Sequence, residues 1–341
     1  MNFKRVKICV LSLLVALPVG RLLHAQTLIT GFTTSITTGS GDGIGTQDEI
    51  DFSFTNVIES LDSFTTATNT YTVSGLADKS FVRRNSSPSN ADQTSIWYAR
   101  SGSSTYTAEH AATVENVLLG NTFRRGSDNT FVNGDAGRND RGNIERVDFV
   151  FSGGLSATPE LAFTVMDRGG NTNHDRFQIA LITGWNNTTD QVTSYSDITG
   201  QGSLWGSGNP EGNFNYQIFR YNNGNDSSDS YATQSGSGQG MGGLVFDIDD
   251  FNVTAGTTIY GYSLFGYDVS TGGDTNNLID WNNSTYFPTN TSNNNGGIDL
   301  AGINGLAFSV VPEPLAWTVG GIALIVMALF RRRPRRTAHL G

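Results

Sequence analysis

Thiol chemistry is closed to most of this chain. Cys9 is the single cysteine in 341 residues, so everything after it lacks a disulfide framework, a thiolate metal ligand and a cysteine nucleophile. A lipid anchor on Cys9 would need small residues just before it, and Lys7 and Ile8 stand there instead. Lysine is almost as scarce, with Lys79 the only one between residues 26 and 310. The two histidines of that stretch, His110 and His174, lie far apart and in no HExxH-type spacing. A GxSxG elbow and a glycine-rich phosphate loop are missing as well. These absences point away from an enzyme. The one catalytic arrangement they leave open is a carboxylate pair of the glycosidase kind, which has no sequence spacing of its own.

Positive charge is short too, and unevenly placed. Residues 26–310 hold 12 Lys and Arg against 30 Asp and Glu, whereas both ends of the chain are basic. A body this acidic repels nucleic acid and anionic membrane surfaces. Divalent cations and neutral polysaccharide are the partners its charge allows.

Long apolar runs occur only at the two ends. At the N-terminus Lys4, Arg5 and Lys7 precede an apolar stretch from Ile8 to Val19, and a small residue, Ala25, follows. Basic, apolar and small segments in that order predict a secretory signal peptide over residues 1–25, cut by signal peptidase between Ala25 and Gln26. At the C-terminus sixteen uncharged residues run from Leu315 to Phe330. As a helix they would reach about 24 Å, against a hydrocarbon core of about 30 Å. Snorkelling arginines and local thinning make this a workable, if short, membrane span. Arg331, Arg332, Arg333, Arg335 and Arg336 follow directly, and the positive-inside rule keeps them cytoplasmic. Both ends therefore predict the same topology, with the body outside.

Between body and span stands Val311, Pro312, Glu313, Pro314. The prolines cannot join a helix interior or a central strand, so the tetrapeptide is expected extended and exposed. This motif at 311–314, the span at 315–330 and the arginine cluster at 331–336 resemble, in order and position, the PEP-CTERM sorting signal. The resemblance covers about the last thirty residues. It implies recognition by an exosortase in a Gram-negative bacterium that makes exopolysaccharide, a transient stay in the inner membrane, and release to the cell surface or beyond. It says how the body travels and leaves open what the body does.

The body, residues 26–310, reads as all-β. Gly, Ser, Thr, Asn and Asp dominate, and no long stretch carries a 3.6-residue apolar period. Strands are expected at IDFSFTNV from Ile50, RVDFVFSGGL from Arg146, LAFTVM from Leu161, RFQIALITG from Arg176, FNYQIFRY from Phe214, GLVFDIDDF from Gly243, TTIYGYSLFGYDV from Thr257 and GLAFSVV from Gly305. LAFTVM and RFQIALITG, with a polar stretch between them, predict a hairpin. Thr107–Gly120 is the helix candidate. Ser227–Gly243 and the segment from Phe287 to Leu300 read as loops. This strand density argues for an antiparallel β-sandwich of jelly-roll kind in one domain.

Ligand candidates are few. MDRGGNTNHDRF gathers Asp167, Asn171, Asn173 and Asp175, hard oxygen donors suited to Ca²⁺, in a spacing that equally fits a hairpin turn satisfying its own backbone. GSGDGIGTQDEID from Gly39 and NGDAGRNDRGN from Asn133 have the same two readings. No other cofactor is called for. Trp185, Trp205 and Trp281 stand beside Gly or Asn, where a ring either packs inside or stacks on a sugar. The expectation is an exported, non-enzymatic surface or extracellular-matrix protein associated with exopolysaccharide. Its alternative is a carbohydrate-binding or carbohydrate-cleaving surface module. The topology has a direct check: protease added to spheroplasts should digest residues 26–310, and full protection of the body would overturn the orientation.

Overall fold

A computed structural model describes residues 27–38, 57–86, 93–100, 114–133, 142–170, 173–206, 210–222, 231–292 and 297–312. The signal peptide, Ala25 and Gln26, the span at 315–330 and the arginine cluster lie outside these residues, as do the segment from Gly39 to Asn56 and most of that from Asn133. No helix among the described residues is long and apolar enough to cross a membrane.

The described chain is mostly strand, 56% against 5% helix, in two antiparallel sheets. The strands are β1 Thr27–Leu28, β2 Gly31–Thr38, β3 Val57–Thr65, β4 Thr70–Leu76, β5 Lys79–Arg84, β6 Gln93–Arg100, β7 Arg125–Ser127, β8 Ile144–Ser156, β9 Leu161–Gly169, β10 Phe177–Asn186, β11 Gln191–Gln201, β12 Glu211–Asn222, β13 Tyr231–Asp247, β14 Thr258–Phe265 and β15 Leu306–Val310. The larger sheet runs β2-β3-β4-β15-β9-β13-β12-β6-β7, with β1 beside β13, and the smaller runs β11-β10-β14-β8-β5.

Alternation builds the space between the sheets. Leu161, Phe163 and Val165 on β9, Val147 and Phe149 on β8, and Phe177, Ile179 and Leu181 on β10 all enter one buried cluster. Phe163 of the larger sheet lies 5.1 Å from Tyr262 of the smaller, and Phe246 of the larger 5.9 Å from Phe177. The other faces are covered as well. Ala162 and Met166 of β9 pack with Ile29, Trp97, Ala301 and Ile303, and Val150, Ala180 and Phe265 pack under Val269, Leu278 and Phe287. Both sheets thus bury two faces, the second beneath irregular chain at 297–305 and 266–292.

Three expectations are corrected. β9 and β10 do not form a hairpin: β9 pairs with β13 and β15, and β10 with β11 and β14. Every residue of β9 is buried, so it has no solvent face, and the polar stretch after it crosses from one sheet to the other. The expected loop at 227–243 is largely strand β13. Its glycines make room for side chains lying against the backbone: a Cβ on Gly236 would fall 2.2 Å from the Tyr216 ring, and one on Gly242 2.2 Å from His174 Nε2. Of the helix candidate, only Val114–Leu118 is helical among the described residues. The other expected strands match β8, β9, β10, β12, β14 and β15. GLVFDIDDF is strand to Asp247 and then a 3-10 turn at Asp249–Phe251, while Ile50–Asn56 lie outside the described residues.

The smaller sheet is closed by a buried ionic knot. Asp148 is completely buried and meets Arg146 Nε at 2.7 Å and Arg83 Nε at 3.0 Å. Ser263 Oγ donates to its Oδ1 at 2.6 Å. Arg146 then reaches out of the sheet, its Nη1 donating to the carbonyls of Leu278 at 2.8 Å and Ile279 at 3.0 Å. Removing one partner of such a knot strands a buried charge. Asp148→Ala should lower stability by about 3–5 kcal/mol, read as a fall in the urea midpoint; a shift under about 1 kcal/mol would mean that water enters and the knot is dispensable.

Candidate functional site

The residues singled out for oxygen ligation fall where β9 ends and the chain crosses between sheets. Side-chain alternation sends Asp167 to the same side as Phe163 and Val165, and Arg168 to the opposite side with Met166. Asp167 is completely buried. Its Oδ1 accepts from the Asp299 backbone N–H at 2.7 Å, and its Oδ2 from the Asp175 N–H at 3.0 Å and His174 Nδ1 at 3.1 Å. His174 is fixed twice more. Its backbone exchanges hydrogen bonds with Trp205 at 2.8 and 3.1 Å, and its ring stacks on the Trp205 indole at 4.5 Å.

The calcium reading has little left to work with here. A carboxylate whose oxygens already take three N–H donors is committed to the fold. Asn173 is exposed, Asp175 joins Asp167 through its backbone N–H, and Asn171 lies outside the described residues. Among the described residues no group of three or more His, Cys, Asp and Glu is arranged to hold a metal ion.

A His–Asp pair is also half of a hydrolase triad. Here His174 Nε2 faces the backbone of Gly242, and the residue is 1% exposed. Enclosed in this way, the pair pins β9, the crossover and Trp205 together.

On the far side of β9, Arg168 Nη2 pairs with Asp128 and, at 2.6 Å, with Asp299. Its guanidinium lies 5.0 Å from the Trp97 ring and 3.8 Å from that of Tyr216. Burial pushes the Asp299 carboxyl well above its usual range, against the pull of Arg168. Burial, with Asp167 beside it, raises Asp175 to about 7.

Sequence reasoning overlooked Glu145. It directly precedes the strand expected from Arg146 and is 2% exposed. Its Oε1 accepts from Asn85 Nδ2 at 2.6 Å and Asn133 Nδ2 at 3.0 Å. Burial, reinforced by Asp268, raises it to about 8. The two amide donors can be accepted by either form of the carboxyl, so the rise is the work of burial and Asp268.

The three tryptophans divide. Trp205 is buried, whereas Trp185 and Trp281 are half-buried on the outer side of the smaller sheet. At the motif, Val311 and Pro312 are exposed, and Glu313 and Pro314 lie outside the described residues.

Comparison of the chain with protein-family models, curated proteins and solved structures found no match in any of the three. The functional case therefore rests on the residues of this chain.

Glu145 and Asp175 set a pH dependence of definite sign. The folded state keeps a proton on Glu145 from the usual 4.5 up to about 8, while the unfolded chain releases it near 4.5. Folded protein then binds more protons, and stability falls as pH rises across that interval, on the order of 3 kcal/mol. Asp175 adds in the same direction between 3.8 and about 7. Melting should be several degrees higher at pH 5 than at pH 8. Glu145→Gln, which keeps the acceptor and cannot ionise, should flatten that slope; a variant with the wild-type slope would show that Glu145 is ionised in the fold.

Proposed function

We propose that this chain is an exported, non-enzymatic cell-surface or extracellular-matrix protein: a jelly-roll-like sandwich delivered by a signal peptide, held briefly in the inner membrane and sorted through a PEP-CTERM signal. The observation that carries the reading is the way the fold hands over its C-terminus. β15 is a central strand of the larger sheet, paired with β4 on one side and β9 on the other. Its last backbone bonds are Val310 N–H to Glu160 O at 3.1 Å and Val311 N–H to Thr70 O at 2.8 Å. Val311 is already 38% exposed, and Pro312 follows it into solvent. A cut beyond Pro312 would leave β15 and both of its ladders whole. The pairing of Thr27 and Leu28 with Val245 and Leu244, just after the expected signal-peptidase site, supports the same reading at the N-terminal side.

The composition of the body fits this role. It has no thiol to oxidise outside the cell, and its charge disfavours nucleic acid. The cleaving alternative needs two carboxylates facing a groove, and the acids brought together at Asp167, Asp175 and Asp299 line the interior. The binding alternative has a specific support of its own, the placement of Trp185 and Trp281.

Replacing Pro312, Glu313 and Pro314 together by alanine should leave export intact and keep full-length precursor in the inner membrane, read by immunoblot of membrane and surface fractions. A variant that reaches the surface at the wild-type size would remove the sorting role from the motif.

A further inference from the structure

Two of the three loop tryptophans, 96 positions apart, come together on one face. The β10–β11 hairpin tip folds across the outer side of the smaller sheet: Asp190 reaches Lys79 Nζ at 2.7 Å, and the Asp190 carbonyl accepts from Arg83 Nη2 at 2.6 Å. Asn187 Nδ2 donates to Ser152 O at 3.4 Å. This sets the Trp185 ring 5.6 Å from Phe81 on β5. From the other direction Trp281, in the covering segment, packs on the same strand. The Arg83 guanidinium lies between the two sides, 4.6 Å from the Phe81 ring and 5.0 Å from Trp281. The row is Trp185, Phe81, Arg83, Trp281.

These rings are held, and they remain half-exposed. Trp185 Nε1–H donates to Asn187 Oδ1 at 2.8 Å and Trp281 Nε1–H to the Arg84 carbonyl at 3.1 Å, so both indoles have fixed orientations. Arg146 also supports Trp281, at 4.8 Å. Rings with satisfied N–H groups and fixed planes carry little ordering cost for a ligand laid on them. We propose that this row is a binding strip for a neutral pyranose polymer, an inference that rests on the reading of the body as an exported surface protein and gives it a ligand class. The C–H faces of successive sugars would lie on Trp185 and Trp281, and their hydroxyls would meet Asn187, Asp190 and the edge of Arg83.

Charge selects the neutral polymer. The cations of the strip are already matched, Lys79 by Asp190 and Arg83 by Asp148. The body around them carries 30 acids against 12 bases, so a polyuronate would be repelled.

The test is affinity electrophoresis of the full chain in mild detergent, through native gels holding hydroxyethylcellulose or, separately, alginate. The wild type should be retarded by hydroxyethylcellulose and not by alginate. Trp185→Ala and Trp281→Ala should each weaken that retardation at least tenfold while melting as a folded protein, with Trp185→Phe intermediate. Should either alanine variant fail to fold, Trp185→Phe and Phe81→Leu decide the matter. Absence of retardation by hydroxyethylcellulose, equal retardation by alginate, or folded variants with wild-type affinity would overturn the site. Sorting is read separately, from the size and location of the triple-alanine variant, so a wild type that reaches the surface yet binds no glucan overturns the strip alone.

Discussion

Two buried guanidiniums hold the irregular chain onto the sheets, and most of the architecture depends on them. Both sheets are apolar on two faces, so each needs a cover beyond its partner sheet, and in a chain of this composition that cover is loop. A loop pressed onto an apolar face brings backbone carbonyls and N–H groups that need partners. Arg146 meets this need on the smaller sheet, donating to the carbonyls of Leu278 and Ile279 while Asp148 balances its charge. The larger sheet uses Arg168 with Asp128 and Asp299, and Asp299 in turn accepts from the Asn129 N–H at 2.8 Å. Without disulfides, these charged clamps are what fixes the covers in one register. Such pairs add little net stability over apolar packing of the same volume; what they confer is that a displaced cover leaves a buried charge unpaired.

How far the fold was legible follows from the same arrangement. Period-two alternation located β8, β10 and β14, which send rows of large apolar residues to the central cluster, and β12 and β15, whose Phe214, Ile218, Leu306 and Phe308 enter the cluster on the outer face of the larger sheet. At β9 it found the strand, but the polar stretch after it was read as a hairpin turn where the chain crosses between sheets. It also misled at β13, whose Gly, Ser and Gln residues have the composition of a flexible loop. There the missing side chains are supplied across the strand by Tyr216 and His174. Composition reports what a segment contributes to packing, and β13 mostly receives. The buried charges left a fainter trace: Arg146 and Asp148 stand two apart on one strand, opposite in sign, a spacing that puts both on the same face beside each other.

The candidate residues were legible as chemical types and opaque as places. Asp167 offered calcium ligation in sequence and His174 carried no motif, and the fold uses both in locking the crossover. Trp205 went inside because it follows a stretch tied by backbone bonds to His174. Trp185 and Trp281 stayed near the surface because each is delivered by an excursion, one by the hairpin tip and one by the covering segment. Their convergence depends on the Lys79–Asp190 and Arg83–Asp190 contacts, between residues more than a hundred positions apart, which no local pattern encodes.

The position of β15 bears on how a body of this kind tolerates being tethered. A tail held in a membrane would pull along the last strand. Were that strand at a sheet edge, its backbone bonds would open one after another as it peeled away. β15 instead lies between β4 and β9, with Phe308 completely buried against Phe64 at 4.8 Å. Load applied at Val311 is then shared by two ladders at once and resisted by side chains packed on both faces. Among the described residues the last backbone bond at this end is that of the Val311 N–H, so a cut beyond Pro312 would leave both ladders of β15 whole. On the proposed reading, one central strand would meet two demands, holding firm under load and surviving a cut beyond it.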